Sequence, residues 1–484
     1  MGLLGILVGL AVLIWFAYRG WSVLLLAPIA AMLAALFSGE PLLAHWTQTF
    51  MGSAAGFIAQ FFPMFLLGAL FGKMMDDSGS VAAIAAWMTE KLGVEHAILA
   101  VVLAGALVTF GGVSLFVAFF VIVPMAQTLF RAAGIPGRLI PAAVSLGTST
   151  FTMSALPGTP SIQNAIPMPF FETTPFAAPG LGLIASAIML AFGLWWLGLK
   201  ASAAQTAGEG YGDAPDTDPK AAAADPLLRE RATTARDFDP AEISHGATTA
   251  SLPPIWRAGL PLAVVIATNV LMSLVILPRV DAAYLALPEW GETSLAGVGG
   301  VWSVIVALLA GIIALLLLSR DRLPTLRITM DAGANASVLP ALAVASLVGF
   351  GAVVAALPAF AAVADWVLTL GGGPLVSLAV AVNILAALTG SASGGLTIAL
   401  DALGSTYMDL AADIGMSPDL LHRVAVISAG TLDSLPHNGA VVTLLAVAGK
   451  KHGESYVDLA IVSIGGAMLA LIAVIGLGGV FGAF

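Results

Sequence analysis

No cysteine occurs in the 484 residues, which excludes disulfides, Cys-ligated zinc and thiol redox chemistry. Charge is nearly as scarce. Charged residues make up 10% of the chain against 59% hydrophobic ones, where a soluble domain carries about 25% charged residues. That deficit, with a mean hydropathy of +1.00, excludes a soluble globular protein and points to a polytopic membrane protein. No basic tract offers a surface to nucleic acid, and the net charge of −10 resides largely in loops. The apolar runs are continuous rather than alternating. They argue against a transmembrane β-barrel and for an all-α protein embedded in the lipid bilayer.

With roughly 20 apolar residues needed per span, the length allows about a dozen transmembrane helices. Clear apolar runs begin near residues 2, 22, 56, 96, 113, 176, 258, 296, 337, 374 and 458. Arg19 follows the first run and no positive residue precedes it. That order predicts a first transmembrane helix rather than a cleaved signal peptide. Three stretches, 139–170, 390–412 and 425–449, are too polar or too interrupted by Gly and Pro to read as simple spans. Irregular backbone at membrane depth survives only where protein or a wet cavity surrounds it, so these are the places for broken helices or re-entrant hairpins.

The chain divides into a first transmembrane repeat (1–199), a polar linker (200–256) and a second repeat (257–484). The linker is rich in Ala, Asp, Thr, Pro and Gly and lacks the apolar content to fold alone. It carries Arg229, Arg231 and Arg236, and the loop two helices later carries Arg320, Arg322 and Arg327. The intervening loop sets one Arg against Asp281, Glu289 and Glu292, so the positive-inside rule puts the Arg-rich pair in the cytoplasm. Across the linker, "FGGVSL" (110–115) is echoed by "SGGLTI" (393–398), and "LGTSTF" (146–151) by "AGTLDS" (429–434). Both matches share one offset, 394 − 111 = 430 − 147 = 283. Arg131 and Arg138 follow the first Gly pair, whereas Asp409, Asp413 and Asp419 follow the second before Arg423. That contrast predicts repeats of inverted orientation. Paired interrupted segments in two halves point to a transporter's central site.

The stretch "TSTFTMSALPGTPSIQN" (148–164) gathers neutral polar groups in this greasy chain. Thr148, Ser149, Thr150, Thr152, Ser154, Thr159 and Ser161 bring hydroxyls, and Gln163 and Asn164 bring amides. Pro157 and Pro160 remove backbone donors. A helix broken there offers free N–H groups and a positive dipole end, which suits a carboxylate without a fixed cation. The plainer alternative is that Ser and Thr bond back to their own helix while the prolines only kink it. In the second half, Ser391 and Ser393 lie in "TGSASGGLT" (389–397), where tight helix packing is the competing reading. "GTLDSLPHNG" (430–439) adds Thr431, Ser434 and Asn438 as substrate-binding candidates. An ionisable group at membrane depth is a functional candidate by default. Asp433 is therefore the first choice for proton coupling, His437 the second and Asp401 the third. Lys73 with Asp76 and Asp77, and Lys450 with Lys451 and His452, read as helix-end charges reaching the interface. No G-x-S-x-G elbow is present, so Ser434, His437 and Asp433 do not indicate a hydrolase, and no enzyme activity is expected.

"TMSALPGTPSIQNAIP" (152–167), "SASGGLTIALDALG" (391–404) and "LDSLPHNGAVVTLLAV" (432–447) resemble the gluconate permease family, in particular its gluconate and D-β-hydroxybutyrate permeases. The resemblance runs through both halves and omits the linker. It implies a secondary symporter in the bacterial inner membrane that takes up a small hydroxy-monocarboxylate with protons, and needs no cofactor beyond that ion. It also implies a homodimer with inverted repeats, two helical hairpins and an elevator-like moving domain. The hairpin-tip role would fall on 148–164 and 431–438. A sodium-coupled carboxylate carrier and a passive anion channel are the alternatives.

Overall fold

A bilayer gives the backbone no solvent partner, so apolar runs this long fold as helices that bond internally. The computed structural model describes residues 2–17, 19, 21–212, 251–362, 366, 371–436 and 438–484. Most of the 200–256 linker and the candidate His437 lie outside the described residues. The helices are α1 (Gly2–Ala17), α2 (Val23–Ser38), α3 (Leu42–Asp77), α4 (Ser80–Leu92), α5 (Ala97–Phe110), α6 (Leu115–Ala133), α7 (Ile140–Thr148), α8 (Phe151–Ser154), α9 (Ile162–Ala165), α10 (Pro167–Phe171), α11 (Pro179–Thr206), α12 (Ile255–Arg279), α13 (Leu295–Ser319), α14 (Leu326–Ala356), α15 (Gly373–Thr389), α16 (Ala392–Ile414), α17 (Pro418–Ala429), α18 (Gly439–Val447) and α19 (His452–Phe481). No strand occurs among the described residues.

The protein is an all-α polytopic membrane protein, but its described spans fall short of a dozen. Seven helices are long and apolar enough to cross a bilayer, or eight if Ser80–Leu92 and Val94–Phe110, bent by 107°, count as one. The difference has a physical origin. The apolar runs at α1, α2 and α15 give helices of 16, 16 and 17 residues, shorter than the ~20 a span requires, and others turn back inside the protein. α14 packs along α3 and against α2 and α16, α12 pairs with α13, and α11 pairs with α19.

Two helical hairpins turn back at buried tips. Exposed Glu95, just before α5, and exposed Arg131, in the last turn of α6, mark the open end of the first hairpin, yet its tip carries buried Gly111 and Val113. α15 and α16 likewise run from exposed Gly372 to exposed Asp413 around a tip where Gly390 and Ser391 are buried. Gly112 and Gly390 make the reversals, with φ of +98° and +61°, a region closed to most side chains. This corrects the expected hairpin tips: they fall on 111–114 and 390–391, whereas 148–164 and 431–438 are breaks within α7–α11 and α17–α18. The repeat register is corrected with them. The helix-leading residues Ser114 and Ser391, the first-turn prolines Pro141 and Pro418, and the caps Ser161 and Asn438 align at 391 − 114 = 418 − 141 = 438 − 161 = 277. The 283 offset paired glycines that do different jobs: Gly111–Gly112 turn a tip, while Gly394–Gly395 lie in the first turn of α16.

Of the two charge clusters, one stands at a helix end as expected, with Lys451 and His452 exposed where α19 begins, and the other does not. Lys73 and Asp77 do not reach an interface. They are 4% and 1% exposed and bond at 2.9 Å, and Thr329 of α14 donates to the other Asp77 oxygen at 2.5 Å. His452 donates through Nε2 to the carbonyl of Pro436 at 2.9 Å, so it supports the second break.

α11 continues to Thr206, and the residues after it dock on the α6–α7 loop. Arg138 donates to both carboxylate oxygens of Glu209, at 2.8 and 3.1 Å, and to Asp458 at 2.7 Å. The hydrogen bond from Arg138 holds the Glu209 carboxyl below its ordinary value; burial opposes it, and the charge of Arg138 adds a smaller effect in the same direction as the bond. A depressed carboxyl contributes above its unfolded range and loses that contribution as pH falls through the folded value. Protection from hydrogen exchange across 205–212, taken relative to the unfolded-chain rate at each pH, should therefore hold at neutral pH and fall once acid protonates Glu209. Glu209→Gln should erase that step while leaving Arg138 on buried Asp458. The pair is exposed, so global stability should barely change.

Candidate functional site

Proline and glycine decide where the spans break. In the first half α7 ends at Thr148, and the chain passes through the short pieces α8, α9 and α10 before α11 begins. In the second half α17 ends at Ala429 and α18 starts at Gly439. Side chains knit each break to its surroundings. Asn438 donates to the carbonyl of Gly390 at the second hairpin tip (2.9 Å) and accepts from the amides of Ala440 and Val441. Ser161 donates to the Met153 carbonyl at 2.7 Å and caps α9 by accepting from the Asn164 amide.

Between the two breaks and the two tips lies a small cavity of about 20 Å³. Three helix N-termini converge on it: Leu115 opens α6, Ala392 opens α16, and Ala440 and Val441 belong to the first turn of α18. Each N-terminus carries a partial positive charge. No side chain caps α6, whereas Ser391 accepts from Gly394 in α16. Ser149, Ser154, Gln163, Ser434 and Asn438 add polar groups to the wall. Asp433 is the single ionisable side chain on that wall among the described residues, and its Oδ1 accepts from Ser434 at 3.1 Å. Gln163 is 3% exposed, and its amide oxygen has no hydrogen-bond partner among the described residues. A second cavity of about 90 Å³ lies on the other side of the first hairpin tip, bounded by α3 from Met64 to Ala69 and by Ser161. Leu115 and Met153 line both cavities.

The remaining candidates serve the backbone. Thr148, Thr150 and Thr152 donate to carbonyls one turn back, at Val144, Leu146 and Thr148, and Thr431 donates to Ile427. Ser391 and Ser393 share a 3.4 Å contact under the second tip. Thr159 is buried with an unpartnered hydroxyl, but it is not on the cavity wall. Asn164 donates to the carbonyls of Thr159 and Pro175 at 3.1 and 3.0 Å, tying the Pro-rich crossover together. Asp401 is exposed on α16, away from the cavity.

Two residues central to the site were read in the sequence only as loop charge or not at all. His422 and Arg423 lie inside α17 and are wholly buried. His422 donates through Nε2 to the Asn164 side-chain oxygen (3.2 Å) and accepts at Nδ1 from Thr173 (2.6 Å). Arg423 donates to the carbonyls of Ala155 (3.1 Å) and Ala177 (3.1 and 2.6 Å). The second repeat therefore braces the first repeat's break. The available signal was a charged pair inside the apolar run "LLHRVAV".

Comparison with known proteins accords with this arrangement. The profile of the GntP family permeases matches residues 1–168. A transporter of Bacillus subtilis (strain 168), YxjC, described as uncharacterized, is 39% identical over 99% of this chain and 100% of its own. Among solved structures, the Alcanivorax borkumensis YdaH transporter, noted for an unusual topology, superposes with a TM-score of 0.54 at 20% identity, covering 91% of this chain and 88% of that one. MtrF of Neisseria gonorrhoeae, from a class of antimetabolite efflux pumps, gives a TM-score of 0.52 at 14% identity, covering 90% and 84%. These two similarities concern the fold.

Proposed function

The chain belongs to the GntP family of permeases and is a membrane transporter, and on that premise we propose proton-coupled uptake of a small hydroxy-monocarboxylate, of the gluconate or 3-hydroxybutyrate type. The carrier would work by alternating access in the bacterial inner membrane, as a homodimer. One observation carries this reading: three helix N-termini meet at a cavity whose wall holds, among the described residues, a single carboxylate, Asp433. The N-termini favour an anion. Ionised Asp433 opposes it, so the anion enters with a proton on Asp433. Ser149, Ser154 and Ser434 would read the substrate's hydroxyls, Ser154 and Ser434 as acceptors since each already donates within the protein. The two cavities flanking the first hairpin tip give that tip a route to expose the site alternately.

Reconstituted protein should show saturable uptake of labelled hydroxybutyrate, accelerated by unlabelled substrate inside and driven by an inward proton gradient. Uptake that neither saturates nor responds to counter-flow would mean a channel. The unpartnered Gln163 oxygen suits a substrate hydroxyl. Gln163→Leu should raise the apparent KM for 3-hydroxybutyrate about tenfold or more, as loss of a hydrogen bond inside a site does. The KM for butyrate, which lacks that hydroxyl, should hardly change.

A further inference from the structure

We infer that Arg423 is the fixed positive charge that makes the central cavity prefer anions; this rests on the carboxylate-carrier reading above. Among the described residues, four Lys, Arg or Asp side chains are buried: Lys73, Asp77, Asp458 and Arg423. Lys73 pairs with Asp77 at 2.9 Å and Asp458 with Arg138 at 2.7 Å. Arg423 has no carboxylate within ion-pair distance among the described residues, although it has no measurable exposure. Its guanidinium, charged at any working pH, donates only to main-chain carbonyls. Those dipoles satisfy its N–H groups but cancel no charge.

The position of this charge gives it a role. Arg423 grips the carbonyl of Ala155, the residue after Ser154. Ser154 lines the cavity and packs against Gly430 at the end of α17, the helix that carries Arg423. The guanidinium therefore sits one residue behind the cavity wall, with no bulk water to screen it. A charge in such surroundings acts over a longer range than one in solvent. The three helix N-termini supply partial charges at the cavity; Arg423 supplies a whole one from behind. An amino-acid pattern that looks charge-neutral along 148–164 thus acquires its cation from the other repeat.

A bracing role alone predicts a different outcome. If Arg423 only holds the crossover, removing it should weaken binding of charged and uncharged ligands alike. If its charge selects the ligand, only the anion should suffer. The test uses full-length protein in nanodiscs, with 3-hydroxybutyrate and its uncharged amide as calorimetric probes. Wild type should prefer the acid. Arg423→Gln should weaken 3-hydroxybutyrate binding about 30-fold or more, the scale of losing one partner of a buried charge interaction, and shift the amide less than about threefold. Should Arg423→Gln not be recovered folded, Asp419→Asn decides. Asp419 lies one turn earlier, only partly buried and bonded to Ser417. Removing its negative charge should tighten acid binding about two- to fourfold, in the range of a one-turn charge interaction, without affecting the amide. An unchanged acid-to-amide ratio in Arg423→Gln, or in Asp419→Asn where only that variant folds, overturns the assignment and leaves the carrier reading intact. Wild type that binds no carboxylate overturns both.

Discussion

Replacing Asp433 with Asn should abolish proton-driven accumulation while leaving substrate binding and exchange in place. The side chain lines the cavity and accepts from Ser434, and an asparagine of equal size can keep that bond while losing the ability to titrate. One proton per substrate and one pH unit of gradient support about a tenfold concentration ratio. Proteoliposomes carrying the wild type should approach that ratio, and those carrying Asp433→Asn should stop at equal concentrations inside and out. Counter-flow under symmetric pH should persist, because it needs only the loaded carrier to cross. A variant that still accumulates substrate tenfold would move the coupling site elsewhere.

The second large effect concerns stability. Gly395→Ala should unseat the second hairpin. Gly395 sits in the first turn of α16, and an added Cβ there would overlap the backbone nitrogen and Cα of Ala386 on α15. The obstruction is main chain, so no rotamer change relieves it. Overpacking of this kind costs about 1–3 kcal/mol and occasionally more, and here it pries apart the two helices whose tip bonds Asn438. The folded fraction in detergent, read by size exclusion and thermal unfolding, should drop sharply. Gly198→Ala is the matched control: nothing lies within 4 Å of its added Cβ, so it should be neutral or slightly stabilising through helix propensity. Equal behaviour of the two would show that the α15–α16 contact is not tight.

How much of this was written in the sequence depends on the range of the interaction concerned. Membrane class, helical content and the two broken segments follow from composition and from local Pro and Gly, and the structure has them. Asp433, Ser149, Ser154, Gln163, Ser434 and Asn438 do meet at one cavity. Thr148, Thr150, Thr152 and Thr431 do not, because a threonine one turn from a carbonyl bonds to it, and nothing in the residue order distinguishes inward from back-bonded hydroxyls. The second hairpin tip falls at the edge of the interrupted stretch 390–412, whereas the first was missed because Gly-Gly in a membrane helix is ambiguous until its φ is known. Arg423 was missed for a different reason. Its partners, Ala155 and Ala177, contribute carbonyls, which every residue owns and no sequence advertises.

The bracing of the first break by α17 also constrains how the chain is made. Asn164 waits for His422, 258 positions later, and the Ala155 carbonyl waits for Arg423, 268 positions later. At ribosomal speeds of about 5–20 residues per second, the first half spends tens of seconds in the bilayer before its braces are synthesised. During that interval its Pro-rich crossover has main-chain groups that lipid cannot satisfy. The nascent half must therefore keep those groups near water or near a chaperone-like insertase. A chain that stops short of α17 should be recognised by membrane quality control as unfinished.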